Sequence, residues 1–217
     1  MLITEIFTSV QGEGAAAGRP CTFVRLARCN LRCHWCDTKY SFSGGDERTL
    51  ADVLADVERR GVKLVCVTGG EPMMQPDAVP LMEELLARGC AVLLETSGAL
   101  PLDAVPAGVV KVMDLKCPGS GEAPANHWPN LALLGAQDEV KFVVQDEADY
   151  RWALETCRTH RLGARPRRAG TPDVLLSPVH GVLEPAALAG WMLRDGLDAR
   201  LNLQIHKYVW GADVRGV

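Results

Sequence analysis

Short β-branched runs alternate along this chain with amphipathic segments that stop at glycine, and no other feature narrows the fold as much. Residues 2–9 (LITEIFTS) and 21–27 (CTFVRLA) read as strands, joined by the glycine-rich QGEGAAAGRP. Residues 49–61 carry apolar positions at 50, 53, 54 and 57 before a glycine, which predicts a helix with its stop signal. The pattern repeats: strand 63–68, helix 77–89 with Pro80 in its first turn, strands 91–96, 108–115 and 139–144, and helix 147–162. Strand 173–177, helix 184–196 and strand 200–205 complete it. Strands alternating with helices through short connections form parallel sheets covered by helices. Six or seven such strands in 217 residues fall short of a closed eight-unit barrel of about 250 residues. The expected class is therefore α/β, an incomplete (open) parallel β/α barrel, as one domain over residues 1–217.

That architecture says where chemistry belongs. Ligands of parallel β/α sheets bind outside the carboxyl ends of the strands. The segments in that position are residues 28–46, Thr68-Gly69-Gly70-Glu71-Pro72, Glu95-Thr96-Ser97-Gly98, Asp114-Leu115-Lys116, Ser177-Pro178 and His206-Lys207-Tyr208. Residues 28–46 show no periodicity and are rich in Cys, Asp, Ser and Gly, as a long functional loop would be. The basic stretch 161–170 (RLGARPRRAG) reads as a solvated loop.

A net charge of −4 and a pI of 5.7 argue against a nucleic-acid footprint, which shows as a basic excess. No apolar run approaches the roughly 20 residues of a membrane helix. MLITEIF places an acid where a signal peptide needs basic charge, so a cytoplasmic location is expected. Disulfides are rare in that compartment, and the 8 cysteines call for another explanation. Cys21, Cys66, Cys90, Cys117 and Cys157 are scattered singly and read as packing residues, with Cys117 the nearest to the expected mouth.

The other three are not scattered. Cys29, Cys33 and Cys36 form C-x3-C-x2-C. Three thiolates this close on one loop can hold three irons of a cubane cluster, leaving the fourth iron without a protein ligand. An open corner suits a catalyst, because a small chelating molecule can bind there. The alternative is a structural zinc site with His34 as fourth ligand, although adjacent residues rarely point at one metal and such sites usually split their ligands into distant pairs.

The cysteine triplet after a barrel strand, with Gly69-Gly70-Glu71-Pro72 after the next, resembles the radical S-adenosylmethionine superfamily. Further stretches narrow the likeness: Ser9-Val10-Gln11-Gly12-Glu13-Gly14, Phe23-Val24-Arg25-Leu26, Cys29-Asn30-Leu31, Trp35-Cys36-Asp37-Thr38 and Asn202-Leu203-Gln204-Ile205-His206-Lys207-Tyr208. In order and over nearly the whole chain, this set is similar to the 7-carboxy-7-deazaguanine synthase family. The resemblance implies a [4Fe–4S] cluster on Cys29, Cys33 and Cys36 that binds S-adenosylmethionine. It also implies conversion of 6-carboxy-5,6,7,8-tetrahydropterin to 7-carboxy-7-deazaguanine with loss of ammonia, Mg²⁺ dependence, a homodimer, and a flavodoxin-like or ferredoxin-like reductant.

Residue by residue, the resemblance places Gln11, Gly12, Glu13, Arg25, Thr68 and His206 on the substrate. Chemistry supports several of these. Glu13 can accept from the guanidine-like edge of a pterin, and Gln11 can match a mixed donor–acceptor edge. Arg25, on an otherwise apolar strand, suits bidentate carboxylate recognition, the alternative being a structural salt bridge. His206 and Thr68 are expected at strand ends. Spacing alone points to Asp37 as a Mg²⁺ ligand, whereas the resemblance points to the Thr38 hydroxyl. For S-adenosylmethionine the candidates are Trp35, Gly70, Glu71, Ser97, Asp114, Lys116, Ser177, Pro178, Val179 and His180. Many relatives have Ser-Pro-Lys where this chain has Asp114-Leu115-Lys116, and Gln-Pro where it has Ser177-Pro178. A glycyl-radical activating enzyme is the competing catalytic reading, and a non-catalytic zinc-binding module the competing structural one.

Overall fold

The computed structural model describes residues 1–163 and 170–217. Their strands form one nine-stranded sheet in the order β3-β1-β2-β4-β5-β6-β7-β8-β9. β1 (Leu2–Val10) and β2 (Pro20–Leu26) make an antiparallel hairpin, and β3 (Asp46–Glu47) adds antiparallel to β1. From β2 onward every pairing is parallel, through β4 (Leu64–Gly69), β5 (Ala91–Thr96), β6 (Val110–Asp114), β7 (Glu139–Val144), β8 (Asp173–Pro178) and β9 (Arg200–Leu201). The two end strands do not pair with each other, so the barrel is open.

Four helices cover one face: α1 (Leu50–Arg60), α2 (Ala78–Ala87), α3 (Glu147–His160) and α4 (Pro185–Asp195). Thr49 caps α1 by accepting from Asp52 N at 3.1 Å, a contact of about 1 kcal/mol, and Gly61 ends it at φ 69°. Outward residues of the strands (Val24, Leu26, Val65, Val67, Val92, Leu94, Met113, Val140, Phe142, Val174, Leu176) pack with Val53, Leu81, Leu85 and Leu188 into the main core. Each such side chain, fully buried, contributes roughly 1.5–3 kcal/mol. The β5–β6 and β6–β7 crossovers carry no α-helix; the second runs through the 3₁₀ turns Pro118–Ser120, Ala123–Ala125 and Trp128–Leu133.

The inward residues are different. A small apolar floor of Cys21, Phe23, Leu64, Cys66 and Leu93 closes the base. Beyond it, by strand alternation, the concave face carries Glu5, Arg25, Thr68, Glu95, Asp114, Lys141 and Ser177. Cys66 and Cys21 thus serve as packing residues, as do buried Cys117 and Cys157 in the main core. Cys117 is 1% exposed and does not open on the mouth.

Two expectations require correction. Residues 28–46 are not wholly irregular: Lys39–Ser41 is a 3₁₀ turn and Asp46–Glu47 pairs with Leu2 and Ile3. The strand expected over 200–205 stops at Leu201, and Ile205–Val209 is a short helix, α5. The side chains of Asn202 and Gln204 bind residues 13 and 14, and Ile205 N donates to Gly12 O at 3.0 Å, which draws the chain out of the ladder. The expected loop at 161–170 falls largely on residues 164–169, outside the described residues. Among the described residues no helix is long and apolar enough to cross a membrane.

Candidate active site

The cysteine loop leaves β2 through Arg28, whose φ of 75° is uncommon for a residue with a Cβ. Its backbone is held on both sides: Arg28 N donates to Ser41 O at 2.7 Å, and Glu71 N donates to Arg28 O at 2.8 Å. The Gly-Gly-Glu segment thus lies against the cysteine loop. A Cβ on Gly70 would meet Arg28 O at 2.0 Å and Cys29 Cβ at 3.0 Å, so only glycine permits this approach.

Glu71, predicted on the S-adenosylmethionine side, is fully buried. Its carboxyl group accepts from Met73 N (3.0 Å), Thr96 Oγ1 (2.8 Å), Ser97 N (2.7 Å) and Ser97 Oγ (2.6 Å). The side chains of Glu71 and Ser97 are spent on each other, tying the end of β4 to the end of β5.

Cys29, Cys33 and Cys36 are all free thiols and half-buried. Burial pushes the Cys29 and Cys33 thiols above their ordinary range; Leu31 N–H on Cys29 and the Lys116 ammonium pull the other way. A thiol raised in this manner is deprotonated when a metal takes its charge. Among the described residues, no three His, Cys, Asp or Glu side chains converge as they would on a single metal ion. His34 is turned onto the Pro118–Ser120 turn, with Nδ1 2.9 Å from Gly119 O and its backbone N donating to Ser120 O at 3.1 Å. The arrangement therefore disfavours the zinc alternative, whereas three thiols on one loop fit a multi-iron cluster, each sulfur on its own iron.

A chain of polar contacts surrounds the concave face. Asp37, next to Cys36, pairs with Lys207 Nζ at 2.7 Å and lies 3.4 Å from Gln204 Nε2. Gln204 Nε2 also donates to Glu13 Oε1 at 2.8 Å, and Lys141 Nζ donates to Glu13 Oε2 at 2.7 Å. Lys141 Nζ sits 3.2 Å from Asp114 Oδ1, an ion pair out of hydrogen-bonding line, and Asp114 Oδ2 accepts from Lys116 Nζ at 2.6 Å. Asn202 Nδ2 donates to Ser177 Oγ at 2.8 Å, and Gly14 N to Asn202 Oδ1 at 2.8 Å. The Gln-Gly-Glu-Gly turn therefore crosses the concave face: Gln11 Nε2 reaches Glu95 on β5 at 3.1 Å, and Ala15 N reaches Glu139 on β7 at 2.7 Å. Residues about 190 apart in sequence bridge the open side of the barrel by side-chain contacts rather than a strand ladder.

The charges follow from these partners. Burial pushes the Glu13 carboxyl up, but Lys141 and the Gln204 hydrogen bond more than offset it and hold it below its ordinary range. Burial likewise opposes the charge on Lys141, and Asp114, Glu13 and Glu95 hold its ammonium well above the usual lysine range. Asp114 is held low by Lys116 and Lys141 against its burial. Burial pushes the His206 imidazole below its ordinary range.

Several sequence expectations meet their partners here. Arg25 donates from Nε to Glu5 Oε1 at 2.8 Å, so the structural salt bridge is present; Tyr40 OH donates to the same oxygen at 2.8 Å. Thr68 donates to Glu95 Oε2 at 3.0 Å. His206 does not end a strand; it lies in α5 against Gly12, where an added Cβ would stand 1.9 Å from His206 Nδ1. Thr38 Oγ1 is 3.6 Å from Cys36 Sγ, and Trp35 is half-buried. Pro178 and His180 line a pocket of about 210 Å³ with Gln204 and Tyr208, while Val179 is buried and donates to Val144 O at 2.8 Å. Sequence reasoning missed Glu5 and Lys141, and named Glu95 only as part of a mouth segment, without a role. The signal for Lys141 was a cation alternating with Val140 and Phe142 on a barrel strand.

Comparison with known proteins places the chain in a family. The radical SAM superfamily profile matches residues 24–163. The chain is 45% identical to a 7-carboxy-7-deazaguanine synthase of Koribacter versatilis, with 100% of both chains covered. It is 43% identical to one of Chlorobaculum tepidum, covering 99% of this chain and 96% of that one. The crystal structure of QueE from Escherichia coli superposes with a TM-score of 0.71 at 24% identity, over 93% of this chain and 92% of that one. The chain therefore belongs to the radical S-adenosylmethionine superfamily and, within it, to the 7-carboxy-7-deazaguanine synthases, enzymes that use a [4Fe–4S] cluster and S-adenosylmethionine.

Proposed function

We propose that this chain, acting as one domain, converts 6-carboxy-5,6,7,8-tetrahydropterin to 7-carboxy-7-deazaguanine with release of ammonia. The observation that carries the reading is the chain of hydrogen bonds and ion pairs from Asp37 through Gln204, Glu13, Lys141 and Asp114 to Lys116, beside the three cysteines. A flat, polar, anionic substrate needs such a site, and a site built of polar groups rejects analogues that leave them unpaired.

Cys29, Cys33 and Cys36 would hold the cluster, which together with S-adenosylmethionine supplies the one-electron chemistry when bound. The chain's own part is to bind, orient and exclude water. Glu13 receives the donor edge of the pterin, and Gln11 and Thr68 hold the Glu95 carboxylate against the same face. Glu5 fixes Arg25 through Nε, which leaves the two terminal guanidinium nitrogens to take the substrate carboxylate. Gly12 lets His206 pack close enough to complete the wall as a neutral ring. On the S-adenosylmethionine side, the candidates are Gly70 and Glu71, whose backbone lies against the cysteine loop, with Ser97, Asp114, Lys116, Trp35, Ser177, Pro178, Val179 and His180. The Thr38 hydroxyl is assigned to Mg²⁺ along with substrate oxygens on the family resemblance; Asp37, the choice from spacing alone, is paired with Lys207.

A homodimer, a flavodoxin-like or ferredoxin-like reductant and a cytoplasmic setting complete the proposal; the free thiols fit a reducing compartment. Anaerobic incubation with S-adenosylmethionine, dithionite, Mg²⁺ and the pterin, followed by mass analysis, tests it. The expected result is the deazaguanine acid, with the pterin consumed. Unchanged pterin from cluster-replete protein contradicts it. A glycyl radical raised on a protein partner, with stoichiometric methionine, would instead indicate an activating enzyme.

A further inference from the structure

We propose that Lys141 is the positioning residue that couples the two ligand sites, holding Glu13 toward the pterin and Asp114 toward S-adenosylmethionine with one ammonium group. The inference deepens the functional reading and rests on it. Lys141 projects from the middle of β7 onto the concave face, is 9% exposed, and lies 2.7 Å from Glu13 Oε2 and 3.2 Å from Asp114 Oδ1. Glu13 belongs to the turn over the substrate region, and Asp114, through Lys116, to the side nearest Cys33. Two carboxylates and two ammonium groups balance in this cluster. Without Lys141, Asp114 would keep Lys116, and Glu13 would keep only the neutral amide donors of Gln204 and Asn202.

Stability does not explain such a residue. A buried ion pair generally holds a fold no better than apolar side chains of equal volume, and β7 is otherwise apolar in its outward positions. What the lysine does supply is a fixed charge state for Glu13. The charged and titratable groups around that carboxylate are Lys141 and Glu139 from β7, Asp114 and Lys116 from β6 and its exit, Glu95 from β5, His206 and Lys207 from α5, and Asp37 from the cysteine loop. Of these, only Lys141 puts a cation in hydrogen-bond contact with Glu13. In a Lys141→Met variant, burial would raise the Glu13 carboxyl unopposed by that contact. Its acceptor form would then be lost on the acid side and regained as the pH rises.

The test is equilibrium dialysis of 6-carboxytetrahydropterin against anaerobically reconstituted protein between pH 6.5 and 8.5. His206 feels the Glu13 charge, so its contribution is read separately from a His206→Gln control carried in the same series. Relative to wild type, Lys141→Met is expected to bind about tenfold more weakly at the low end and to recover toward the high end, since the ionised fraction of a raised carboxyl grows about tenfold with each pH step of one until it saturates. Lys141→Met combined with Glu13→Gln should bind weakly with no added pH dependence, and Lys141→Arg should restore the wild-type profile. A Lys141→Met profile parallel to wild type overturns the assignment. Should Lys141→Met not fold, a cycle of Glu13→Gln and Asp114→Asn on S-adenosylmethionine affinity decides: the two are coupled if Lys141 joins them, and additive effects refute the link. Failure of the wild-type protein to bind the pterin at any pH overturns the functional reading itself, whereas normal wild-type binding beside a parallel Lys141→Met profile overturns this one alone.

Discussion

Replacing Glu71 by Gln keeps the shape of the side chain and exchanges one acceptor oxygen for an amide. The carboxyl group takes hydrogen bonds from four donors on three residues, Met73 N, Thr96 Oγ1, Ser97 N and Ser97 Oγ. Thr96 and Ser97 are 4% and 8% exposed, and Glu71 itself 0%, so water does not substitute. Either orientation of the amide turns an N–H₂ toward a donor. With the amide nitrogen toward Met73, Met73 N–H loses its acceptor while Thr96 Oγ1 keeps Oε2 at 3.0 Å; with it toward Ser97, Ser97 N–H loses its acceptor and the Ser97 hydroxyl must turn to accept. An unsatisfied buried donor costs about 1–3 kcal/mol, and bonds to a charged acceptor about 1.5–3 kcal/mol each, so the expected loss is about 2–4 kcal/mol. For a chain of this size that corresponds to roughly 4–16 °C in Tm. Urea unfolding of the cluster-free protein, which removes cofactor effects, measures it. S-adenosylmethionine affinity of the reconstituted variant should fall as well, because the Gly70–Glu71 backbone is held by the same bonds. A stability change below about 0.5 kcal/mol would refute the claim that this carboxyl group anchors the loop.

The other predictions test separate contacts. Gly12→Ala should displace His206, because the new Cβ would fall 1.9 Å from Nδ1; KM for the pterin should rise at least several-fold, and a Gly12→Ala, His206→Ala pair should be less than additive. Cys33→Ala should lose both the brown cluster absorption and turnover, and turnover without the cluster would exclude the cysteine assignment. Glu13 and Asp114 sit below their ordinary values of 4.5 and 3.8 in the fold. Their contribution to stability is therefore full above those values and lost as the pH falls through the lower, folded ones. Acid unfolding followed by circular dichroism should show this loss, and Glu13→Gln should remove part of it; an unchanged acid limb would contradict the ion-pair network.

The order of strands and helices was legible because short apolar, β-branched runs between chain breakers mark buried strands, as in residues 21–27 and 63–68, and because polar inward positions alternate with apolar outward ones in 139–144. The cysteine spacing was legible for a similar reason: three ligands must be local to share one loop. What could not be read was set by distant partners. Nothing near Asn202 announces that its amide will bind Gly14 and Ser177, and so the expected strand over 200–205 ran too far. The two-residue β3 has no hydrophobic pattern and exists because the edge of β1 accepts it. The binding role of Arg25 was inferred from its chemistry, but its Glu5 partner lies on the neighbouring antiparallel strand and is visible only in register. The resemblance places the Gly70–Glu71 segment on the cofactor through its backbone, and the Glu71 side chain's role in holding the loop became visible only with its partners Thr96 and Ser97.

The proposed chemistry depends on an iron atom that no side chain of this protein occupies. Electron–nuclear double resonance on the reduced, anaerobically reconstituted enzyme, with S-adenosylmethionine labelled with ¹⁵N at its amino group, addresses that atom directly. A ¹⁵N coupling to the cluster that disappears with unlabelled cofactor is the predicted result. A coupling to a protein nitrogen such as that of His34, unchanged by adding the cofactor, would contradict it.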